Sequence, residues 1–127
     1  MQGAGEVTFD SLGPGHPPVT WPSRAEEPNG RTSPEELIAA AHATCYSMAL
    51  SHGLAGAGTP ATSIDASAEV TFVPGTGITQ IALAVVGRVP GLDAGASQTA
   101  AEAAKTGCPV SKALAAVPIS LAVTFVD

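Results

Sequence analysis

Two cysteines, Cys45 and Cys108, are the residues of this 127-residue chain best suited to covalent chemistry. A thiolate is a strong nucleophile, and two thiols can store an oxidising equivalent as a disulfide. Cys45 lies in SPEELIAAAHATCYSMALS, Ser33 to Ser51, an alanine-rich stretch with helical spacing. At 100° per residue, Leu37, Ala41, Cys45, Met48 and His52 share one stripe, which is expected to face the core. Position alone fits inert packing as well as catalysis, because free cysteine is among the most buried residue types. Burial would also suppress the thiolate unless a cation stood near, so a reactive Cys45 needs an arginine. Cys108 follows Gly107 and precedes Pro109. If Pro109 opens a helix, Cys108 is its N-cap and feels the positive end of the dipole; GCP reads equally well as turn punctuation.

Other chemistries have weaker support. His42 lies three residues before Cys45 and His52 seven after it, a spacing that imitates a metal site on one helix. No CxxC or HExxH accompanies it, so no metal or cofactor is expected, and His16, His42 and His52 read as solvated or backbone-bonded. Glu35 and Glu36 are natural first-turn carboxylates. No Gly-rich phosphate loop or Ser, His, Asp arrangement is visible; Gly53, Gly56 and Gly58 read as a helix stop and loop.

Net charge is −6, and the five basic residues, Arg24, Arg31, Arg88, Lys105 and Lys112, are scattered. Nucleic acid is therefore not an expected partner. No apolar run approaches the roughly 18 to 20 residues of a membrane span, and MQGAGEVTFD has no signal-sequence character, so no membrane partner and a cytoplasmic location are expected. In that reducing compartment the cysteines, 63 positions apart from 45 to 108, suggest buried thiols or a transient redox pair rather than a permanent crosslink.

The elements that must position these residues follow from periodicity and punctuation. A single domain over residues 1–127 is expected, with a core of small aliphatic side chains, since 45% of residues are hydrophobic but only 4% aromatic. Such a core makes a large subunit interface reasonable. Glu6 to Phe9 alternates briefly. GPGHPPVTWPSRAEEPNGRTS, rich in proline, reads as loop with a short edge strand around Val19 to Trp21. Ser33 as N-cap, Pro34 as N1 and Glu36 as N3 form a capping box that opens a helix running to Gly53. Ile64 to Val73 alternates, with Ile64, Ala66, Ala68, Val70 and Phe72 on one face. PGTG, Pro74 to Gly77, supplies a hairpin turn into Ile78 to Val89, whose inner face is Ile81, Leu83 and Val85. Ala96 to Thr106 is a second helix with Gly107 as C-terminal cap, Pro109 to Ala116 a short third, and Ile119 to Val126 a last strand. This grouping predicts an α+β fold, a mostly antiparallel sheet packed against a long central helix and a second helix.

SPEELIAAAHATCYSMALS together with KTGCPVSKAL resembles the paired signatures of the OsmC family, the osmotically inducible hydroperoxide reductases related to the organic hydroperoxide resistance (Ohr) proteins. TSIDASAEVTF between them is also similar, so the likeness covers Ser33 to Asp127. The AAHA and GCPVSKAL wording is closer to the OsmC branch than to Ohr. Family chains usually carry a further strand region before GxG-like text resembling Gly3 to Val7. This chain starts almost there, so its N-terminal strand region is expected to be shortened.

The resemblance implies an intertwined homodimer with active sites at the subunit boundary, and a peroxidase serving oxidative or osmotic stress defence. Cys45 would attack the peroxide and Cys108 would resolve the sulfenic acid to a disulfide. An external dithiol, lipoyl-type or a small thiol, would reopen it. The family also uses an arginine to hold the thiolate and a glutamate to orient that arginine. The first glutamate of PEE matches Glu35; Arg24 sits about one residue off the comparable loop position, with Arg31 as competitor. Glu35 and Cys45 are ten residues apart, about 15 Å along a helix, too far for one arginine to serve both in one chain. Arg24 or Glu35 is therefore expected to reach the partner subunit's Cys45. An aliphatic pocket with Leu37 and Met48 would favour organic hydroperoxides over hydrogen peroxide. The alternative is a non-enzymatic small-ligand or redox-sensing module of the same fold.

Overall fold

The computed structural model describes residues 4–11 and 15–126. Gly3 of the GxG-like text, and Gly13 and Pro14 of the proline-rich segment, lie outside them. In chain order the elements are β1 (Ala4–Glu6), β2 (Pro18–Thr20), α1 (Trp21–Ala25), α2 (Pro34–Gly56), β3 (Ser63–Val73), β4 (Gly77–Arg88), α3 (Ala94–Gly107), α4 (Pro109–Ala113) and β5 (Ile119–Val126). β1 and β2 pair antiparallel as a small ribbon. The main sheet has the order β3-β4-β5. β3 and β4 form the expected antiparallel hairpin, whereas β5 joins β4 in parallel. A parallel neighbour cannot be reached by a tight turn, so the chain crosses over through α3 and α4, and Cys108 sits in that crossover. Among the described residues no helix is long and apolar enough to cross a membrane.

α2 lies across the sheet and against α3. Its buried stripe is His42, Tyr46, Leu50 and Leu54, not the stripe expected from the sequence. Met48 is 67% exposed, Ala41 and His52 are also exposed, and Leu37 and Cys45 are half-buried. The helix is apolar on nearly every side, so periodicity could not select a face. Packing selected the side carrying Tyr46, Leu50 and Leu54, whose large side chains gain most from leaving water. These three meet Leu83, Val85, Val89, Ala104 and Cys108 in one core cluster. The Tyr46 hydroxyl donates to the Ala101 carbonyl at 3.2 Å, tying α2 to α3. Burial, with a smaller contribution from the Glu102 charge, pushes the Tyr46 pKa up to about 12.

Local punctuation differs in four places. Ser33 caps α2 as expected, accepting from the Glu36 N–H at 3.1 Å. Glu36 does not complete the box; its Oε2 instead accepts from the Thr32 hydroxyl at 2.7 Å. Gly53 does not stop the helix, because Leu54 one residue on is a core side chain; the chain turns at Gly58, with φ of 80°. Gly107 is the last residue of α3 rather than a left-handed cap. The break falls at Cys108, with ψ of 121°, since a residue before proline is pushed out of the helical region. The first strand is Ala4–Glu6, upstream of the expected Glu6 to Phe9 alternation.

Gly87 of β4 stands opposite Phe125 of β5. A Cβ built there would lie 2.9 Å from the Phe125 ring. Gly87→Ala should therefore destabilise the chain by about 1–2 kcal/mol as the ring is displaced. A urea midpoint that does not move would show that Phe125 can step aside freely.

Candidate active site

The two thiols, remote in sequence, meet in space. α2 presents Cys45 half-buried, and the α3–α4 corner presents Cys108 with no accessible surface. The Cys108 N–H still bonds the Ala104 carbonyl at 2.9 Å, which holds the corner to the end of α3. The sulfurs are close enough to share a hydrogen bond.

Their environments differ in sign. Burial pushes the Cys45 thiol above its ordinary value; its hydrogen bond to Cys108 and the neighbouring sulfur's charge add to this, against a weaker opposing effect of the Val110 N–H. Cys108 is also penalised by burial, the largest single effect. Together, however, the Cys45 thiol, the N–H and hydroxyl of Ser111 and the N–H of Val110 outweigh that penalty and hold Cys108 below the ordinary thiol value. Cys108 completes no capping hydrogen bond on α4, yet those N–H groups favour its anion. In a single chain, then, Cys108 is the more readily ionised of the two. The groups that act on Cys45 among the described residues are Cys108 and the Val110 backbone.

The sequence-selected arginine and glutamate form a second cluster. Arg24 Nε donates to Glu35 Oε1 at 2.9 Å, and Nη2 lies 2.8 Å from the same oxygen in an ion pair. The guanidinium also lies 4.5 Å from the Phe72 ring centroid and 5.7 Å from that of Trp21. Arg31 is exposed and lines the same cleft of about 390 Å³, with Glu35, Ala39, Val70 and Phe72. Arg24, not Arg31, makes the ion pair. Glu35 is 94% buried by its 6% residual exposure, and its Oε2 has no hydrogen-bond partner among the described residues.

Arg24 is positioned by a helix that the proline-rich reading missed. Thr20 caps α1 by accepting from the Ser23 N–H, and the Ser23 hydroxyl reciprocates at the Thr20 N–H. The same hydroxyl reaches the Thr32 carbonyl at 3.0 Å. Thr20 and Ser23, with Pro22 between them, were the signal: a cap three residues ahead of its partner with proline in the first turn. Trp21 and Phe72 had no signal, since only the fold brings them to Arg24.

His42 is neither solvated nor backbone-bonded. It is fully buried, and its Nε2 lies 2.8 Å from the Ser111 hydroxyl. His52 is exposed, and His16 contacts Thr8 at 3.4 Å. Among the described residues no group of three or more His, Cys, Asp or Glu is placed to hold a metal ion.

The chain is thus an α+β protein in which two free thiols meet at a helix corner. A family model described as OsmC-like protein matches residues 27–122, and the chain belongs to that family. It is 45% identical over 118 residues to the Peroxiredoxin OsmC of Escherichia coli (strain K12), covering 91% of this chain and 82% of that protein. Solved structures share the fold. An organic hydroperoxide resistance protein from Elizabethkingia anophelis gives a TM-score of 0.73 at 21% identity, covering 99% of this chain and 96% of that one. An OsmC-like protein from Mycoplasma pneumoniae gives 0.73 at 11% identity, covering 100% and 98%.

Proposed function

We propose that this chain, a single OsmC-like domain over residues 1–127, is a cysteine-based peroxidase that reduces organic hydroperoxides to alcohols in defence against oxidative or osmotic stress. The observation that supports it best is the meeting of Cys45 and Cys108, one reachable from solvent and one sealed. In the first step the Cys45 thiolate attacks the terminal peroxide oxygen. An S–O bond forms, the O–O bond breaks, and the departing alkoxide takes a proton to become alcohol. In the second, the Cys108 sulfur attacks the Cys45 sulfenic acid. The S–S bond forms, hydroxide leaves and is protonated to water. An external dithiol, lipoyl-type or small, then returns both cysteines to thiols in a reducing cytoplasm.

The first step needs Cys45 ionised, which the single chain opposes. A homodimer resolves this if the Arg24–Glu35 pair of each chain stands beside the partner subunit's Cys45. The unpartnered Glu35 Oε2 and the ten-residue separation along α2 support that reading. Guanidinium suits the task because it stays charged and offers several donors at once. Leu37, Ala41 and Met48 share the outward stripe with Cys45, so apolar surface lies beside the reachable thiol. That favours alkyl and aryl hydroperoxides over hydrogen peroxide.

Steady peroxide consumption with a dithiol present tests the reading; a binding or sensing module would not turn over. Cys108→Ser should leave the first oxidation of Cys45 within about twofold of the parent, while turnover falls by about tenfold or more because the sulfenic acid persists. Mass measurement after one equivalent of peroxide should show one added oxygen on Cys45 in this variant and a disulfide in the parent. Equal loss of both steps would remove the resolving role of Cys108.

A further inference from the structure

We propose that His42 acts through Ser111 as the positioning residue of the second thiol: its ring N–H fixes the serine hydroxyl as a donor to the Cys108 sulfur. The consequence for turnover rests on the peroxidase reading, but the geometry does not.

The argument starts from proton counting. The Ser111 hydroxyl has one proton and two neighbours that could take it, His42 Nε2 at 2.8 Å and the Cys108 sulfur. The histidine tautomer decides between them. His42 is fully buried, and its Nδ1 has no hydrogen-bond partner among the described residues. A proton on Nδ1 would be a buried orphan N–H, among the rarest features of folded proteins, and would force Nε2 to accept from Ser111. A proton on Nε2 leaves only an unused lone pair at Nδ1. His42 then donates to Ser111 Oγ, and the hydroxyl proton is left for sulfur. Burial lowers the His42 pKa, so the ring is neutral at neutral pH and a tautomer can make this choice.

The topology makes the chain of contacts rigid. His42 and Cys45 are one turn apart on α2, while Cys108 and Ser111 begin and end the first turn of α4. Ser111 is itself buried. Around Cys108, α2 contributes Cys45, His42 and Tyr46 as titratable groups. The strands contribute aliphatic Leu83, Val85 and Val89. Lys105 and Glu102 of α3 pair with each other at 3.9 Å, and Lys112 of α4 is exposed. The groups acting on the Cys108 sulfur are the Cys45 thiol, Ser111 and the Val110 N–H. His42 reaches it only through Ser111. A second thiol held below its ordinary pKa gives up its proton more readily in a closed core, so disulfide formation would follow oxidation promptly.

The test titrates Cys108 by its ultraviolet thiolate absorbance in a Cys45→Ser background, which needs no turnover. Ser111→Ala should raise the midpoint by about one pH unit, a tenfold loss of thiolate at a given pH below it. His42→Leu should raise it in the same direction, and the two together should add little to Ser111→Ala alone. His42→Gln, whose amide N–H reaches the level of Nε2, should keep the parent midpoint; where His42→Leu does not fold, His42→Asn, which stops at the level of Nδ1, takes its place. A midpoint unmoved by His42→Leu or His42→Asn, or moved equally by His42→Gln, would overturn the proposal. Because these titrations involve no peroxide, their failure and failure of the peroxidase reading appear in different measurements.

Discussion

Cys45→Ser should abolish peroxide consumption, by about 10³-fold or more, with the fold retained. The hydroxyl replaces the sulfur at nearly the same size, and the site is half-buried, so little packing is lost. What disappears is the cysteine sulfur that a peroxide can reach, since Cys108 is sealed. Cys108 is the more readily ionised of the pair in a single chain, yet it has no accessible surface and cannot serve as a substitute. Reachability and acidity are thus divided between two residues, and removing the reachable one leaves nothing to make up the loss. Peroxide remaining after incubation with dithiol, together with the absence of any oxygen adduct by mass, would show this. Appreciable turnover in the variant would mean that Cys108 becomes exposed in solution and that the order of the two steps is wrong.

Arg24→Met should cost both stability and activity, and a second substitution should separate them. The variant leaves the Glu35 carboxylate buried and unpaired. Breaking a fully buried pair on one side costs about 3–5 kcal/mol; here the arginine side chain is 30% exposed, so about 2 kcal/mol is expected. Lost stacking on Phe72 and Trp21 adds a fraction of a kcal/mol. Adding Glu35→Gln should recover most of this stability by removing the stranded charge. It should not recover activity. If Arg24 serves the partner subunit's Cys45, oxidation at neutral pH falls by about 10²-fold, because the thiol is left at the value that burial imposes. The sign is definite: a higher thiol pKa means less thiolate at neutral pH, so the rate loss should shrink as pH rises. Arg24→Lys should fall between, keeping the charge but not the fork. Urea denaturation and the pH profile of a single oxidation check the two halves. A stability loss with an unchanged pH profile would make Arg24 purely structural.

Much of this was legible in the sequence, for identifiable reasons. Ile64 to Val73 and Ile119 to Val126 are strands whose alternation reports a half-buried sheet directly. Ser33 and Pro34 mark the start of α2 because capping chemistry is local. The stripe of α2 that faces the core was not legible, since Ala39, Ala40, Ala41 and Ala43 make every face similar and only contact with β3 and α3 breaks the tie. The same degeneracy misassigned His42, which is fixed by Ser111, 69 positions away. Arg24 and Glu35 were selected by family likeness, and their ion pair depends on α1, whose cap at Thr20 was hidden among prolines. Cys108 was placed correctly at the corner, but whether that corner acidified it depended on Ser111 and Cys45 side chains that no local pattern reports.

The parallel pairing of β5 with β4 carries a last consequence. Because the crossover delivers Cys108 onto α2, a bond between the sulfurs would staple two ends of a ring 63 positions long. By chain-entropy reasoning a staple of that span strengthens the fold by about 4 kcal/mol. Oxidation and reduction would then do more than exchange electrons: each cycle would stiffen and relax the whole molecule, and its resistance to heat and proteolysis would read out its redox history.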